Sequence, residues 1–346
     1  MRAVLLIGHG DLDQLQLRDD VPVPIPGPGE VLIRIGAAAV NNTDINTRIG
    51  WYSKSVDGST EAAGKGDGRD DGGWTGALSF PRIQGTDACG RIMAVGPGVP
   101  TDRIGERVLV DPVLRPADGP AGYFASECDG AFAEYTKVPA ANAVGIDSSL
   151  TDVELASFPC AYSTAENLLT RSRVTQGDRV LVTGASGGVG SAAVQLAKRR
   201  GAAVVALAAA DKANALRELG AERVLDRGTD LRQALGTESV DVVIDVVGGP
   251  QFPALLDVLK PRGRYAVSGA IAGPIVTLDL RTLYLKDLTL VGGTIQEPEV
   301  FGNLVRYIEH GEIRPLVAAT YPLAEIHAAQ EAFLAKRHVG KIVLVP

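Results

Sequence analysis

The stretch "DRVLVTGASGGVG", residues 178–190, constrains the fold more than any other part of the chain. A short apolar run meets a cluster of glycines, and "SAAVQLAKRRGA" follows with apolar residues at helical spacing. That is the pattern of a buried strand, a tight turn and a helix. The pattern then repeats. "AVVALAAA" reads as a strand, "DKANALRELGA" as a helix stopped by glycine, and "VDVVIDVVGG", "FPALLDVLKPRG" and "RYAVSGA" continue the alternation. Strands alternating with helices predict an α/β fold with a parallel, doubly wound sheet.

Up to about residue 150 the rhythm differs. "EVLIRIGAAAV" (30–40), "RVLVDPVL" (107–114) and "GAFAEYTKVP" (130–139) read as closely spaced strands, the last as a strand pair or a bulged strand. The connector "VPVPIPGPGE" (21–30) cannot be helical. These features predict a separate β-rich, partly closed barrel-like domain. A helix over 299–313 and a closing strand, "GKIVLVP" (340–346), lead the chain back towards it. The expected division is therefore 1–153 with 299–346, and 154–298. Residues 57–76 are rich in Gly and Asp with little to pack, which fits either a tolerated surface insertion or a substrate lid with Trp74 as its anchor.

With 45% hydrophobic residues the chain can fill two cores, while a net charge of −7 without a basic stripe argues against a nucleic-acid partner. Cys89, Cys128 and Cys160 form neither an even framework nor a CxxC pair, as suits a reducing cytoplasm. The apolar run near Met1 is too short for a signal segment, and "AAVVALAAA" is far too short to span a membrane.

The glycine cluster carries the first functional expectation. Gly184, Gly187 and Gly190, with Ser186, Gly188 and Val189 between them, would let a dinucleotide pyrophosphate approach backbone N–H groups at the helix N-terminus. The next strand bears on cofactor choice. A carboxylate at its end would favour a free ribose 2′-hydroxyl, but this strand ends in Ala208-Ala209-Ala210. Lys212 follows, and Arg227 sits one unit later in "VLDRG". Two cations suit a 2′-phosphate, hence NADPH. Asp211 is the counter-indication, because it could point inward.

Several stretches together carry a family resemblance: "NNTDINTRIGWY", "IQGTDACGRIMAVGPGV", "GAFAEYTKVPA", "YSTAENLL", "GDRVLVTGASGGVGSAAVQLAK" and "DVVIDVVGG". The chain resembles the medium-chain dehydrogenase/reductase superfamily, and most of all its zinc-free quinone oxidoreductase and enoyl reductase branch. The likeness spans nearly the whole chain, apart from 57–76 and part of 111–128. It implies a Rossmann domain beside a GroES-like domain. It also implies that Thr164, Ser268 and Gly269 lie near a nicotinamide, bordered by Gly293 and Lys341.

The same resemblance bears on metal. Zinc-dependent members hold catalytic zinc at positions matching Asn41, Thr86 and Cys160 here, and only the last is a metal-binding type. The four-cysteine structural zinc lobe is also missing. No metal is therefore expected. A site rebuilt from Cys160, Asp44, Asp87 and a distant His is the alternative. Without zinc, neutral donors must stabilise a developing oxyanion, and Asn41, Thr43, Asn46 and Tyr52 are the candidates. Tyr52 matches a Tyr common in the branch, whereas Asn46 stands where that branch often has a second Tyr. Asn41 could instead cap a turn, Tyr52 could be a core aromatic, and Cys160 could serve packing or the substrate wall.

The expected activity is NADPH-dependent reduction of an activated C=C or a quinone, on a small-molecule substrate. The rivals are a zinc-independent alcohol or ketone oxidoreductase and a protein that binds NADPH without turnover. A homodimer is expected through the strand-like stretch "PIVTLDLRTLYLKDLTLVGG" (274–293), because an open sheet edge invites pairing.

Overall fold

The computed structural model of the chain describes residues 1–62 and 71–346. It divides into two compact units: Met1–Val56 with Ala63–Cys160 and Phe301–Pro346, and Asp57–Ala62 with Ala161–Val300. The boundary near residue 160 falls inside one helix, Pro159–Arg171.

The second unit holds a sheet of six strands in the spatial order Arg223–Asp226, Ala203–Ala208, Arg179–Val182, Val240–Asp245, Leu259–Val267 and Thr289–Gly292. Every neighbouring pair is parallel. Counted along the chain this is the order 3-2-1-4-5-6 of a Rossmann sheet, whose direction reverses beside Arg179–Val182. Leu181, Val205, Val240, Val243, Leu255, Leu259 and Tyr265 belong to a core packed at one face of this sheet. "FPALLDVLKPRG" resolves into the helix Phe252–Val258, with the next strand beginning at once at Leu259.

The first unit is built on a sheet in the order Ala143–Gly145, Arg107–Val110, Cys89–Val95, Glu30–Ala39, Lys341–Val345 and Val317–Pro322, and Tyr135–Pro139 also pairs with Glu30–Ala39. A three-stranded sheet places Ala3–Leu6 between Leu15–Arg18 and Arg82–Ile83. Val31, Ile33, Ile92, Val108, Phe132, Ile342 and Leu344 all enter one apolar core. This is the GroES-like arrangement.

Three local readings change. "RVLVDPVL" breaks at Asp111-Pro112 into Arg107–Val110 and Val113–Leu114, and the second piece pairs with Gly122–Tyr123 in a hairpin. Of 130–139 only Tyr135–Pro139 is a strand. Phe132 N–H is taken by Gln84 O at 2.8 Å, outside the ladder. Within 274–293 the strand is confined to Thr289–Gly292, after a short helix, Leu280–Leu285, whose N-cap Asp279 accepts Arg281 N–H. Of the 57–76 stretch, residues 63–70 lie outside the described residues, so the insertion-or-lid expectation is not addressed there. Its two ends are anchored. Thr60 N–H reaches Ile271 O at 3.0 Å in the second unit. In the first unit Trp74 packs on Tyr123 with ring centroids 5.0 Å apart.

Candidate active site

In the first unit the polar patch "NNTDINTR" forms a helix, Asn42–Arg48, with Asn41 as its N-cap. The Asn41 N–H is accepted by Asp44 Oδ2 at 2.7 Å. Asn, Thr and Asp favour such a helix start because their short side chains can take up orphan backbone donors. Because the helix begins where the strand Glu30–Ala39 ends, its first turn is held beside the sheet.

The Asn41 side chain itself faces a charged cluster. Its Nδ2 donates to Asp87 Oδ2 at 2.8 Å, and its Oδ1 accepts from Lys341 Nζ. Lys341 also donates to Val40 O at 3.0 Å and lies 2.9 Å from Asp87 Oδ2. Two ammonium protons thus go to Val40 O and Asn41 Oδ1, and the charge is paired with Asp87. The other Asp87 oxygen accepts Cys160 N–H at 2.6 Å. Asp87 is wholly buried and Lys341 is 2% exposed. Lys341, expected to border the nicotinamide, thus lies within this cluster.

Asp44 lies close by. Burial pushes its carboxyl up to about 7, against the pull of the Asn41 and Gly85 N–H groups and Lys341, with the Asp87 charge adding to the rise. Gly85 must approach closely to make that contact. It has a φ of +99°, and a Cβ there would fall 2.5 Å from the Phe132 ring.

Three of the four expected oxyanion donors come together in a second cluster. Tyr52 donates its O–H to Thr43 Oγ1 at 3.1 Å, and the Asn46 side chain also hydrogen-bonds the phenol. Burial of the phenolic end pushes it up to about 12, so it stays protonated and able to donate at neutral pH. Asn41 does not join this group, since its amide is taken by Asp87 and Lys341. Cys160 joins the first cluster to Tyr123. Its N–H serves Asp87, and its Sγ lies 3.5 Å from the hydroxyl of Tyr123. Burial, then the nearby Asp87 charge, pushes its thiol up to about 12.

Sequence reasoning missed Tyr123, which sits in the stretch 111–128 that the family resemblance does not cover. Its only signal was an aromatic pair between Pro/Gly turns. The Lys341–Asp87 pair was also missed, although a Lys heading the apolar strand "GKIVLVP" was a clue.

In the second unit, Gly187 caps the helix Gly188–Arg199, so Gly188, Val189 and Gly190 make its first turn. At Gly190 a Cβ would lie 2.2 Å from Gly184 O and 2.7 Å from Ala185 Cα. The backbone alone fills this space, leaving the helix N-terminus bare for an anion. The glycine turn therefore fits the pyrophosphate of a dinucleotide. Ala209 follows the strand Ala203–Ala208, and Ala208 lies in register with Asp226 on the neighbouring strand. Lys212 and Arg227 consequently stand just past the carboxyl ends of adjacent strands. Arg227 is exposed, while Lys212 Nζ lies 3.0 Å from Asp211. Asp226 turns its carboxylate onto the N–H groups of Ala210 and Gly228.

Ser268 and Gly269 follow the strand Leu259–Val267, and Gly293 follows Thr289–Gly292, so all three also lie at carboxyl ends of the sheet. The Ser268 N–H bonds Asp245 O, and the Gly293 N–H bonds Val267 O. Thr164 is half-buried on the helix Pro159–Arg171. Buried Asp245 braces this edge, accepting Thr183 Oγ1, the Tyr265 hydroxyl and the N–H groups of Val247 and Gly248.

Comparison with known proteins agrees with this geometry. Residues 27–148 match the alcohol dehydrogenase GroES-like domain family, and residues 188–310 match the zinc-binding dehydrogenase family. The chain is 30% identical to the acryloyl-coenzyme A reductase of Metallosphaera sedula, over 99% of both chains. It is 28% identical to the quinone oxidoreductase of Lama guanicoe, over 100% of this chain and 97% of that one. A crystal structure from Sinorhizobium meliloti 1021, assigned to the alcohol dehydrogenases, superposes with a TM-score of 0.90 at 49% identity, covering 100% of this chain and 96% of that one. The chain belongs to the medium-chain dehydrogenase/reductase superfamily. It is an oxidoreductase with the superfamily's nicotinamide-binding dehydrogenase fold.

The second family's description implies zinc, and the donor set does not fit it. At the three matching positions Asn41 is tied to an ammonium and a carboxylate, Thr86 offers only a hydroxyl, and Cys160 alone is a metal-binding type, one ligand where a catalytic zinc needs three. Among the described residues no three His, Cys, Asp or Glu side chains group so as to hold a metal ion.

The Lys341–Asp87 pair should hold the site together. Replacing Lys341 with Met would strand a wholly buried carboxylate, at a cost of about 3–5 kcal/mol. Urea unfolding should show the midpoint falling, and adding Asp87→Asn to the same chain should recover part of the loss. An unchanged midpoint for Lys341→Met would remove the pair from the account of stability.

Proposed function

We propose that this protein is a zinc-independent, NADPH-dependent oxidoreductase that reduces an activated C=C, in an enone or enoyl group, or a quinone. The observation that carries this reading is the replacement at the metal position. A buried ammonium–carboxylate pair stands there, and neutral donors stand beside it. Zinc catalysis polarises a carbonyl with a cation that binds it directly. Here the Lys341 ammonium is buried and already engaged by Val40 O, Asn41 Oδ1 and the Asp87 charge. The groups suited to receive charge are Tyr52, Thr43 and Asn46.

NADPH, when bound, supplies hydride from its nicotinamide to the β-carbon of an enone. The electron pair displaced from the C=C then moves onto the carbonyl oxygen. Tyr52, with Thr43 and Asn46 behind it, holds that oxygen by hydrogen bonds that strengthen as charge develops. A proton delivered to the α-carbon by Tyr52 or water completes the reduction. The glycine turn Gly184–Gly190 would hold the pyrophosphate. Lys212 and Arg227 would hold the 2′-phosphate, with Ala209 leaving room between them. Thr164, Ser268, Gly269 and Gly293 are assigned to the nicotinamide end, and Lys341 to the charge around it.

The relative named for acryloyl-coenzyme A adds enoyl thioesters to the substrate classes. The alcohol dehydrogenase assignment of the structural neighbour supports a second reading, reduction of ketones on the same groups. NADPH oxidation across quinones, enones, enoyl thioesters and ketones separates the two. Turnover confined to ketones would favour the second, and NADPH binding with no turnover on any acceptor would leave a non-catalytic binding protein.

Cofactor choice has its own test. An Arg–phosphate contact is worth roughly 1.5–3 kcal/mol. Arg227→Ala should therefore weaken NADPH about ten- to hundredfold and NADH far less. Equal loss for both cofactors would place the 2′-phosphate elsewhere.

Tyr52→Phe should lower kcat for enones about ten- to hundredfold with NADPH binding unchanged, because Thr43, Asn46 or water substitutes for part of a donor worth roughly 2.7–4 kcal/mol. Quinones should lose less, since their reduced anion is already delocalised. Enone turnover at the parent rate would reduce Tyr52 to packing.

We also propose a homodimer through the second unit. The strand Thr289–Gly292 is an edge, and Ile275, Leu280, Tyr284 and Leu285 beside it in sequence are 61–73% exposed. Apolar groups at an open edge favour pairing with a second copy. Light scattering at micromolar concentration should give twice the chain mass, and a strictly monomeric mass would count against the proposal.

A further inference from the structure

Tyr123 has a hydroxyl with little to do. The side chain is buried, yet the hydrogen bond found for that hydroxyl is to the sulfur of Cys160, at 3.5 Å. Sulfur is a weak partner, and buried phenols ordinarily find an oxygen or nitrogen. Cys160 in turn gives its N–H to Asp87, which accepts from Asn41, the cap of the helix that carries Thr43, the partner of the Tyr52 hydroxyl, so bonded groups lead from one phenol to the other. Burial holds the Tyr123 phenol well above its ordinary range, so it too keeps its proton.

The placement of Tyr123 is also unusually well braced. Trp74 packs on its ring, tilted by 33°. Glu127 accepts the Tyr123 N–H through Oε2 and the Thr75 hydroxyl through Oε1, tying the backbone of Tyr123 to the segment that carries Trp74. That segment is itself closed by paired hydrogen bonds between Gly73 and Gly76. A residue serving only as filler needs none of this.

We propose that Tyr123 is a second phenolic donor to the substrate oxygen, acting with Tyr52 across the Cys160 thiol, and that Trp74 and Glu127 are positioning residues that aim it. The inference rests on the reading of the protein as a reductase that uses neutral donors. It assigns the hydrogen bond now spent on sulfur to the oxyanion formed when hydride arrives, and it requires no further reactant.

Tyr123→Phe keeps the ring against Trp74 and removes only the hydroxyl. Its unfolding midpoint should match the parent's, while kcat for an enone falls about tenfold with the KM for NADPH unchanged. If both phenols serve one oxygen, each partly covers for the other. The Tyr52→Phe/Tyr123→Phe double variant should then lose more than the product of the single losses. Trp74→Ala should lower kcat as Tyr123→Phe does, and Trp74→Phe should restore most of it. A second readout needs no turnover. 4-Nitrophenolate is an oxyanion whose absorbance reports its ionisation, and the parent should bind it several-fold more tightly than Tyr123→Phe does. Parent-like kcat in Tyr123→Phe, or equal binding of the probe by both, overturns the inference while leaving the reductase reading in place. If the parent reduces no acceptor, the reductase reading fails, and probe binding alone then decides whether Tyr123 is an oxyanion donor.

Discussion

The first unit depends on one buried ion pair. Lys341 and Asp87 come from segments far apart in the chain, and each is removed from water. Such a pair is tolerable only when the remaining lone pairs and protons are satisfied. Here they are satisfied by groups that themselves define the site: Val40 O at the end of a central strand, the Asn41 side chain at a helix cap, and the N–H of Cys160 at the start of another helix. The pair therefore fixes the relative placement of three elements. The helix that carries Thr43 and Asn46, and leads on to Tyr52, is positioned through it.

The second unit solves a different problem with less chemistry. Its sheet needs a turn where backbone meets backbone, and Gly190 provides the closest approach, against Gly184 and Ala185. The same absence of side chains leaves the helix N-terminus bare. Lys212 and Arg227 stand just past the ends of two neighbouring strands, where the proposed 2′-phosphate contact would be made. Asp226, which could have opposed a phosphate, turns its carboxylate onto backbone N–H groups instead.

The Rossmann sheet was legible in the sequence because its signals are local. Each strand is a short apolar run, each helix has its own period, and Gly184 to Gly190 lie within one turn. The expectation that Asn41, Thr43, Asn46 and Tyr52 serve as donors came from a family resemblance; Thr43 and Asn46 share one short helix and Tyr52 follows it, so their closeness is local. The partners of Asn41 were not legible for a physical reason. An Asn carries the same amide whether it faces substrate, a turn or a buried ion pair, and the partner that decides among these lies 300 residues away. Tyr123 escaped notice similarly. Its hairpin has no period, and its contacts with Cys160 and Trp74 come from distant parts of the chain. The break at Asp111-Pro112 was hidden because Val113 and Leu114 continue the apolar run.

The strand Lys341–Val345 lies between Glu30–Ala39 and Val317–Pro322 in its sheet, and it delivers the countercharge of Asp87. Consider the chain as it leaves the ribosome. Asp87 and the strands around it emerge long before Lys341, with some 250 residues still to be made. At ordinary rates of synthesis that is a wait of roughly 10–50 s. Throughout it the first unit lacks a central strand and carries a carboxylate that cannot be buried cheaply. The second unit is contiguous apart from a short segment and has all its strands available earlier. The order of assembly is thereby written into the position of one lysine: the parallel sheet can close during synthesis, and the first unit closes last.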